Sequence, residues 1–264
     1  MANFTTKDIQ RLRQATGAGM MECKTALEEA DGDYEAALQV LRIKGLAGAA
    51  KRSDREATEG AVTAVRSGDA AAVVELRCET DFVAKADEFV ALTDELGALV
   101  AAKGEGAVGE LGAEVDRLRT TLKENISVGQ VRQLVAQPGQ VVDTYTHQQA
   151  GRGVNAVAVV VEGGSEDLAH NIAVHIAFTK PSYLSRDEVP EADIAAERAT
   201  VAEISRQEGK PEAALDKIVE GRMNGWFKDR VLLDQSYVKD EKQTIADMLG
   251  SARIVAFAQV VIGA

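Results

Sequence analysis

A strand–strand–helix pattern that occurs twice along the chain constrains the fold more than any other feature. In the first copy, alternating apolar residues predict strands at 61–66 and 71–78, and Ser-Gly-Asp at 67–69 predicts the hairpin turn between them. A helix is predicted to follow the second strand. The residues expected on its buried face are Phe89, Leu92, Leu96, Leu99 and Val100.

The second copy has the same order of elements. Strands are predicted at 141–147 and 154–162, followed by a helix at 166–178. The residues expected to face inward from this helix are Leu168, Ile172 and Ile176. Between the copies, a further strand is predicted at 126–135, after an amphipathic helix marked by Val108, Leu111, Val115, Leu118 and Leu122. Helices on one face of antiparallel strands predict the α+β fold class, with a duplicated core.

The N-terminal residues 1–52 predict a separate three-helix bundle of the ubiquitin-associated kind. Thr5 and Asp8 have the spacing of a capping box, which would start the first helix. The residues expected to face inward are Ile9, Leu12 and Ala15 in the first helix, Met20, Cys23, Leu27 and Ala30 in the second, and Tyr34, Ala37, Leu38 and Leu41 in the third. The polar segment 51–60 predicts a linker.

Beyond Pro190 the chain is rich in charged residues, and its apolar residues recur at heptad-like, helical spacing. A turn at 208–211 separates two such stretches, which predicts an antiparallel helical hairpin projecting from the core. A loop, a helix at 244–249 and an apolar strand at 252–262 are expected to complete the chain. The predicted domains are therefore the bundle 1–52, core subdomain 1 at 53–139, core subdomain 2 at 140–186 completed by 227–264, and the hairpin 187–226.

The composition favours some classes of protein over others. The 264 residues carry a formal net charge of −12 with a pI near 4.9, which argues against a nucleic acid as the main ligand. The basic stretch from Lys44 to Arg55 is interpreted as a helix end and linker. Cys23 and Cys78 lack the close spacing of a metal site or redox pair, which fits a reducing compartment. We expect a cytoplasmic protein with no membrane contact, since neither a signal segment nor a membrane span is predicted.

No sequence signature of an enzyme is present. Phosphate loops, dinucleotide-binding glycine patterns, nucleophile elbows and histidine-rich metal motifs are all missing, so we expect no catalytic residue, metal or cofactor. His170 and His175 are five residues apart, off the spacing of a helical ligand pair, and are interpreted as packing histidines. Cys78 and Glu79 point to opposite faces of a strand, so Cys78 is interpreted as a small buried residue.

Two segments are candidates for contact with a partner. The first, Glu79 to Lys85, lies at a strand-to-helix junction. Two interpretations are open. In the first, Thr80 or Asp81 caps the helix and Phe82 packs against it. In the second, Asp81 and Phe82 project together and act on a partner. The second segment, at 16–21, places Met20 on the buried stripe and Met21 about 100° round the helix from it. Met21 is then either an ordinary surface residue or a soft contact for a partner.

Four longer motifs resemble the elongation factor Ts family, in the family's order and across nearly the whole chain. They are LRQATGAGMMECKTALEEADGDYEAAL at 12–38, ELRCETDFVAK at 75–85, HNIAVHIAFTKP at 170–181 and GKPEAALDKIVEGRM at 209–223. The resemblance implies a guanine-nucleotide exchange factor that binds elongation factor Tu·GDP. It further implies that the partner's magnesium and phosphate site is disturbed, so that GDP leaves.

The resemblance also implies site residues. Those matching the family's TDFVA motif are Thr80, Asp81, Phe82 and Val83. Residues of the N-terminal module and tail that match partner contacts are Arg13, Met20, Met21 and Val238, and His175 matches a block of core subdomain 2. The hairpin matches a module linked to self-association, which implies a homodimer in parts of the family.

The chain departs from the family pattern in two places. Arg77 stands where the family usually has Asn and is expected to face solvent. The chain ends at Ala264, where some members continue into a further helix, so the resemblance carries over no contact of that helix.

Two alternative functions remain open at this point. A scaffold protein without exchange activity would not need an acid and an aromatic ring at positions 81 and 82. The other is an enzyme using Cys78 or the carboxylates Glu79 and Asp81, and activity that survives thiol alkylation would count against it.

Overall fold

The computed structural model describes residues 3–263, with the side chains of Leu46 and Ala50 left out of that description. In chain order the helices are α1 (Thr6–Thr16), α2 (Met20–Glu29), α3 (Tyr34–Ala50), α4 (Asp81–Ala84), α5 (Asp87–Lys103), α6 (Gly112–Thr121), α7 (Glu166–Thr179), α8 (Glu191–Gln207), α9 (Glu212–Arg230) and α10 (Ile245–Leu249). The strands are β1 (Glu59–Ser67), β2 (Ala70–Cys78), β3 (Ser127–Val135), β4 (Gln140–Gln149), β5 (Arg152–Glu162), β6 (Ser236–Tyr237), β7 (Asp240–Thr244) and β8 (Arg253–Val261). Short 3-10 helices lie at Glu105–Leu111, Arg186–Glu188 and Leu232–Asp234.

The two predicted strand pairs are present, and each belongs to a three-stranded antiparallel sheet. The first sheet has the order β1-β2-β3 and the second β4-β5-β8. In the first sheet Val62 lies opposite Glu75, and in the second Val142 lies opposite Val160. The α+β fold class is confirmed. The helix predicted after β2 is in fact two helices, since the short α4 precedes α5.

The two sheets pack face to face, and one long helix covers the outer face of each. Because side chains alternate along a strand, Ala71 and Val73 of β2 pack against the second sheet, while Ala72 and Val74 pack against α5. In the second sheet Val157, Val159 and Val161 pack against α7. The core therefore has four layers, helix, sheet, sheet and helix, in which both faces of each central strand are buried.

The N-terminal helices form the predicted bundle around a small core. Thr5 and Asp8 make the expected capping box, and Gly17, with φ 66°, is the C-cap of α1. The side chains that fill the core are Leu12, Cys23, Ala26, Leu27, Ala37 and Leu41. Two predicted core positions are wrong, because Ala15 is exposed and the side chain of Met20 is 39% exposed. Both lie at the edge of so short a bundle, beside the turn that joins α1 to α2.

The helical hairpin predicted after Pro190 is formed by α8 and α9. Its core contains Val201, Leu215, Val219, Met223 and Phe227. Helix α9 continues to Arg230, past the predicted end of the hairpin at 226, because Phe227 and Val231 are buried in the same cluster. The loop predicted before α10 is wrong as well, since β6 and β7 form a small antiparallel ribbon there.

The division of the chain into the four domains at 1–52, 53–139, 140–186 with 227–264, and 187–226 stays a prediction. Residues 1, 2 and 264, which belong to the first and third of these, lie outside the described residues. Within the part of the chain that is described, no helix is long and apolar enough to cross a membrane.

Candidate functional site

The junction between β2 and α4 forms a rigid corner at the surface. Thr80 is the N-cap of α4, and its hydroxyl oxygen accepts a hydrogen bond from the Val83 backbone N–H at 3.3 Å. Val83 packs against the core of the first sheet, and Ala84 is fully buried. Four residues are too few for a helix to be stable by itself. The corner is therefore held by these contacts with the core.

Phe82 projects from this corner into solvent. Its side chain is 83% exposed, the largest exposed fraction among the large apolar side chains described. The alternative in which Phe82 packs against the helix is therefore wrong, although the predicted cap at Thr80 is present. An exposed aromatic ring on a rigid support is typical of a residue that anchors a protein partner.

Asp81 lies beside Phe82 and carries a negative charge that is already paired. Its carboxylate accepts a hydrogen bond from the Lys85 ammonium one helical turn away, and the Asp81 side chain is 44% exposed. This hydrogen bond lowers the pKa of Asp81 below its ordinary value. Asp81 is therefore ionised at neutral pH and accessible. An exposed pair of this kind is weak, so Asp81 can exchange Lys85 for a cation of a partner.

Two residues that were not predicted hold the corner from behind. One carboxylate oxygen of Glu124 accepts the backbone N–H groups of Glu79 and Thr80 at 3.0 and 3.1 Å, and the other accepts the Thr80 hydroxyl at 2.6 Å. The Asn125 backbone N–H donates to the Glu79 carboxylate at 2.7 Å. The sequence offers no sign of these contacts, because Glu124 and Asn125 look like ordinary polar residues between α6 and β3.

Cys78, the last residue of β2, is unsuited to act as a nucleophile. Its thiol is fully buried and donates a hydrogen bond to the Thr80 carbonyl oxygen at 3.2 Å. Burial raises the pKa of Cys78 to about 12, so the thiol stays protonated at neutral pH. The interpretation of Cys78 as a small buried residue is confirmed.

Arg77 lies on β2 just before this thiol, and its side chain is partly exposed, as expected. Its guanidinium also contacts the buried Glu75 carboxylate at 2.8 Å.

The N-terminal candidates lie at the α1–α2 edge of the bundle. Arg13 is exposed near the end of α1, Met20 begins α2, and Met21 is 69% exposed. The Glu22 carboxylate accepts the Gly19 N–H at 2.7 Å, which fixes the start of α2. This edge offers two flexible apolar side chains and one cation to a partner.

His175 and Val238 lie together on the far side of the core. The Val238 N–H donates to Nδ1 of His175 at 3.4 Å, and Nε2 of His175 lies 3.0 Å from Gln235 Oε1. His175 is fully buried in the isolated chain, and its direct contact with a partner stays a prediction. Val238 is partly exposed. His175 fixes the backbone from Gln235 to Val238, and Val238 keeps its role as a candidate contact.

The other histidine of α7 has no comparable role. His170 is exposed, and its Nδ1 lies 2.8 Å from a carboxylate oxygen of Asp143. Across residues 3–263, no group of three or more His, Cys, Asp or Glu side chains could hold a metal ion.

Comparison with known proteins gives this arrangement a family. A family model described as elongation factor TS matches residues 79–264, which include the Phe82 corner. The elongation factor Ts of Clavibacter michiganensis is 46% identical over 278 aligned positions, covering 100% of both chains. That of Micrococcus luteus is 44% identical over 277 positions with the same coverage. The chain belongs to the elongation factor Ts family.

Membership of the elongation factor Ts family confirms the resemblance seen in the four motifs and makes this chain a translation elongation factor. The family model begins at Glu79, whereas the full-length relatives also cover the N-terminal bundle. The elongation factor Ts of Mycobacterium ulcerans is 46% identical over 269 positions, covering 96% of this chain and 95% of the relative. The bundle and the core therefore both match elongation factor Ts.

Proposed function

We propose that this protein is a guanine-nucleotide exchange factor that binds elongation factor Tu·GDP and promotes release of GDP during translation elongation. The single observation that carries this proposal is the 83% exposed Phe82 beside the ionised Asp81, within a TDFVA motif of an elongation factor Ts. The partner is inferred from membership of the elongation factor Ts family. The protein makes and breaks no covalent bond in this function and is not an enzyme.

The proposed mechanism is differential binding. The Phe82 ring inserts between packed elements of the partner's GTPase domain, while Asp81 approaches the surroundings of the magnesium ion and the phosphates. These contacts form best when GDP is absent, so binding of this protein lowers the affinity of the partner for GDP. GDP lowers the affinity of the partner for this protein by the same factor. The rigid support of Thr80 and Val83 favours this mechanism, since little conformational entropy is lost when the ring inserts.

The remaining contacts are proposed on either side of this corner. Arg13, Met20 and Met21 are proposed to touch the GTPase domain from the N-terminal bundle. Val238 is proposed as the partner contact of the tail. His175 supports this contact by holding the Val238 backbone. We propose no direct nucleic-acid or membrane partner, in line with the net charge of −12, and a cytoplasmic location.

Stopped-flow release of fluorescent GDP from elongation factor Tu tests the proposal. The parent protein should accelerate release, and Phe82→Ala should slow the accelerated rate by about tenfold or more, as truncation of an interface anchor does. Asp81→Ala should also slow it. The control is Ile43→Ala, which truncates another exposed apolar side chain, on α3. Its rate should equal that of the parent.

Other outcomes separate the alternatives. Tight binding of the partner without faster release would make the protein a scaffold. If the parent, Phe82→Ala and Asp81→Ala all release GDP fast, the protein is an exchange factor that does not act through the corner. Met21 and Arg13 would then be the next residues to test. We also propose a homodimer that forms through the hairpin of α8 and α9. Sedimentation velocity of the free chain tests it, and a single monomeric boundary at all concentrations would exclude it.

A further inference from the structure

The turn between α6 and β3 contacts both surfaces to which the proposed function assigns partner contacts. Glu124 accepts three hydrogen bonds from Glu79 and Thr80, at the base of the Phe82 corner. Lys123, the preceding residue, has φ 58°, and its ammonium lies 3.4 Å from the Glu22 carboxylate of α2. Glu22 also caps the helix that carries Met20 and Met21. Consecutive residues of one turn thus contact the two surfaces.

Asn125 ties the same turn to the segment that connects the bundle to the core. Its side-chain amide donates to the carbonyl oxygens of Ser53 and Arg55, at 3.1 and 2.7 Å. Its backbone N–H donates to Glu79, whose carboxylate also lies 3.4 Å from the Arg55 guanidinium. The connecting segment is therefore fastened to the corner and cannot act as a free linker in this arrangement.

The end of α6 contacts the N-terminal bundle closely at two glycines of the bundle. A Cβ atom at Gly17 would lie 3.0 Å from the Thr121 methyl group, and one at Gly45 would overlap with Thr120. Arg52 donates a hydrogen bond to the Arg119 carbonyl oxygen at 3.0 Å. These contacts define where α1 and α3 meet α6.

We propose that the segment 120–125 is a hub that holds the Phe82 corner and the Met20–Met21 edge in one fixed arrangement, with Glu124 as a positioning residue for nucleotide exchange. This inference rests on the proposed function. Glu124 does not touch the partner. It keeps Glu79 and Thr80 in the geometry from which Phe82 projects, so that the ring and the bundle reach the GTPase domain together.

The charge of Glu124 suits this role. Two backbone N–H groups and one hydroxyl converge on a single carboxylate, and hydrogen bonds to an ionised acceptor are the strongest of their kind. Replacement by alanine would leave these donors at a corner where only water can take the place of the carboxylate. Asn125→Ala, in contrast, would release only the connecting segment, because the backbone N–H that holds Glu79 remains.

The experiment combines amide hydrogen exchange of the free protein with a double-mutant cycle in GDP release. In Glu124→Ala the amides of Glu79 and Thr80 should exchange about tenfold faster, and the concentration needed for half-maximal acceleration of GDP release should rise about tenfold. In Glu124→Gln, which keeps one acceptor oxygen, both changes should be smaller. The control Glu110→Ala removes an exposed carboxylate that, among the described residues, pairs with Lys103, and should change neither quantity.

The cycle with Phe82→Ala separates positioning from general stability. If Glu124 acts through the corner, Glu124→Ala should raise the half-maximal concentration by less than about twofold when Phe82 is already alanine. The reason is that the effects of coupled residues are not additive. A full tenfold effect in that background would overturn the inference, as would unchanged amide exchange at Glu79 and Thr80. A parent protein that fails to accelerate release overturns the proposed function, whereas an active parent matched by Glu124→Ala overturns only the positioning role.

Asn125→Ala tests the other half of the hub. If the connecting segment helps to fix the Met20–Met21 edge, the effects of Asn125→Ala and Met21→Ala on half-maximal acceleration should be less than additive. Fully additive effects would mean that the bundle is oriented without Asn125, and would restrict the hub to the corner.

Discussion

Cys78 and His175 are both fully buried, and each is kept neutral by its surroundings. The Cys78 thiol donates to a carbonyl oxygen within an apolar cluster, where a thiolate would be poorly solvated. The His175 ring accepts the Val238 N–H at Nδ1, so the proton of the neutral ring lies on Nε2 and points to Gln235. Burial lowers the pKa of His175 and outweighs the hydrogen bond to Gln235, which acts in the opposite direction.

The His175 ring should make the stability of the protein depend on pH. The unfolded chain takes up a proton on this histidine near pH 6.5, whereas the folded chain takes it up only at a lower pH. The stabilisation is therefore complete above about pH 6.5 and is lost as the pH falls toward the folded pKa. The free energy of unfolding should drop with a slope of up to about 1.4 kcal/mol per pH unit in that window.

Urea unfolding of the parent, His175→Gln and His170→Gln between pH 7.5 and 5.0 measures this slope. In His175→Gln the free energy of unfolding should fall less steeply with pH than in the parent. In His170→Gln, which changes the exposed histidine of the same helix, it should fall as steeply as in the parent. Equal slopes for the parent and His175→Gln would show that the buried ring does not titrate in this way.

At the scale of elements, buried apolar contacts decide stability more than ion pairs do. The hairpin of α8 and α9 carries exposed pairs such as Arg198 with Glu220 and Arg222 with Glu208. Exposed pairs contribute about 0–1 kcal/mol each. Burial of a side chain such as Met223 or Leu215 contributes about 1.5–3 kcal/mol, so the shared apolar seam holds the two helices together.

The crossing of β1 and β5 between the two sheets depends on Gly153. A Cβ atom at this position would overlap with the Val62 carbonyl oxygen and press on the methyl group of Thr146. Both neighbours belong to packed strands, so the sheets would have to separate locally. Gly153→Ala should lower the free energy of unfolding by about 2–3 kcal/mol, as measured by urea denaturation.

Gly225→Ala is the matched control for this substitution. Gly225 lies on the exposed face of α9, and a Cβ atom there would meet nothing within 4 Å. Alanine should stabilise the helix by about 0.5–1 kcal/mol. Destabilisation by both changes would mean that the effect at position 153 does not come from the close approach of the strands.

At the scale of the whole molecule, the two core subdomains share one apolar layer. Val62 and Val73 of the first sheet and Ala158 and Val160 of the second belong to the same buried cluster. The N-terminal bundle has its own core around Leu12 and Leu27 and meets the rest of the molecule mainly at α6. The two sheets should therefore unfold together, and the bundle separately.

Native-state hydrogen exchange of two variants tests this organisation. Val160→Ala should cost about 2 kcal/mol and speed exchange equally in β2 and β5, although only β5 carries the change. Leu27→Ala should speed exchange in α1 to α3 and leave both sheets unchanged. Faster exchange in the second sheet alone after Val160→Ala would show two independent cores.

Much of the fold could be predicted because the signals are local. The alternation in β1 and β2, the turn at Gly68 and the capping box at Thr5 each depend on residues within a few positions of one another. The errors occur where local patterns compete with packing at an edge. Met20 has the spacing of a core residue, yet it begins a helix at the rim of a small bundle, where nothing covers it.

The candidate site could be predicted only in part. The TDFVA motif identifies the residues of the corner but does not predict the direction of Phe82. A helix that starts at Thr80 is compatible with a Phe82 ring that packs on the protein and with one that projects into solvent. The motif implies a partner contact for His175, whereas the structure places this residue beneath the surface that it supports. Glu124 and Asn125 were missed because their partners are more than forty residues away in sequence.

Most helices and strands, the duplicated order of the core and the family can be read from the amino-acid sequence, since periodicity and motifs are properties of short segments. The face-to-face packing of the sheets, the projection of Phe82 from the surface and the contacts of the turn after α6 with both candidate surfaces can be seen only in the folded chain. Each of these depends on contacts between residues far apart in sequence. Such contacts form only when apolar faces that look alike in sequence have found their partners in the folded chain.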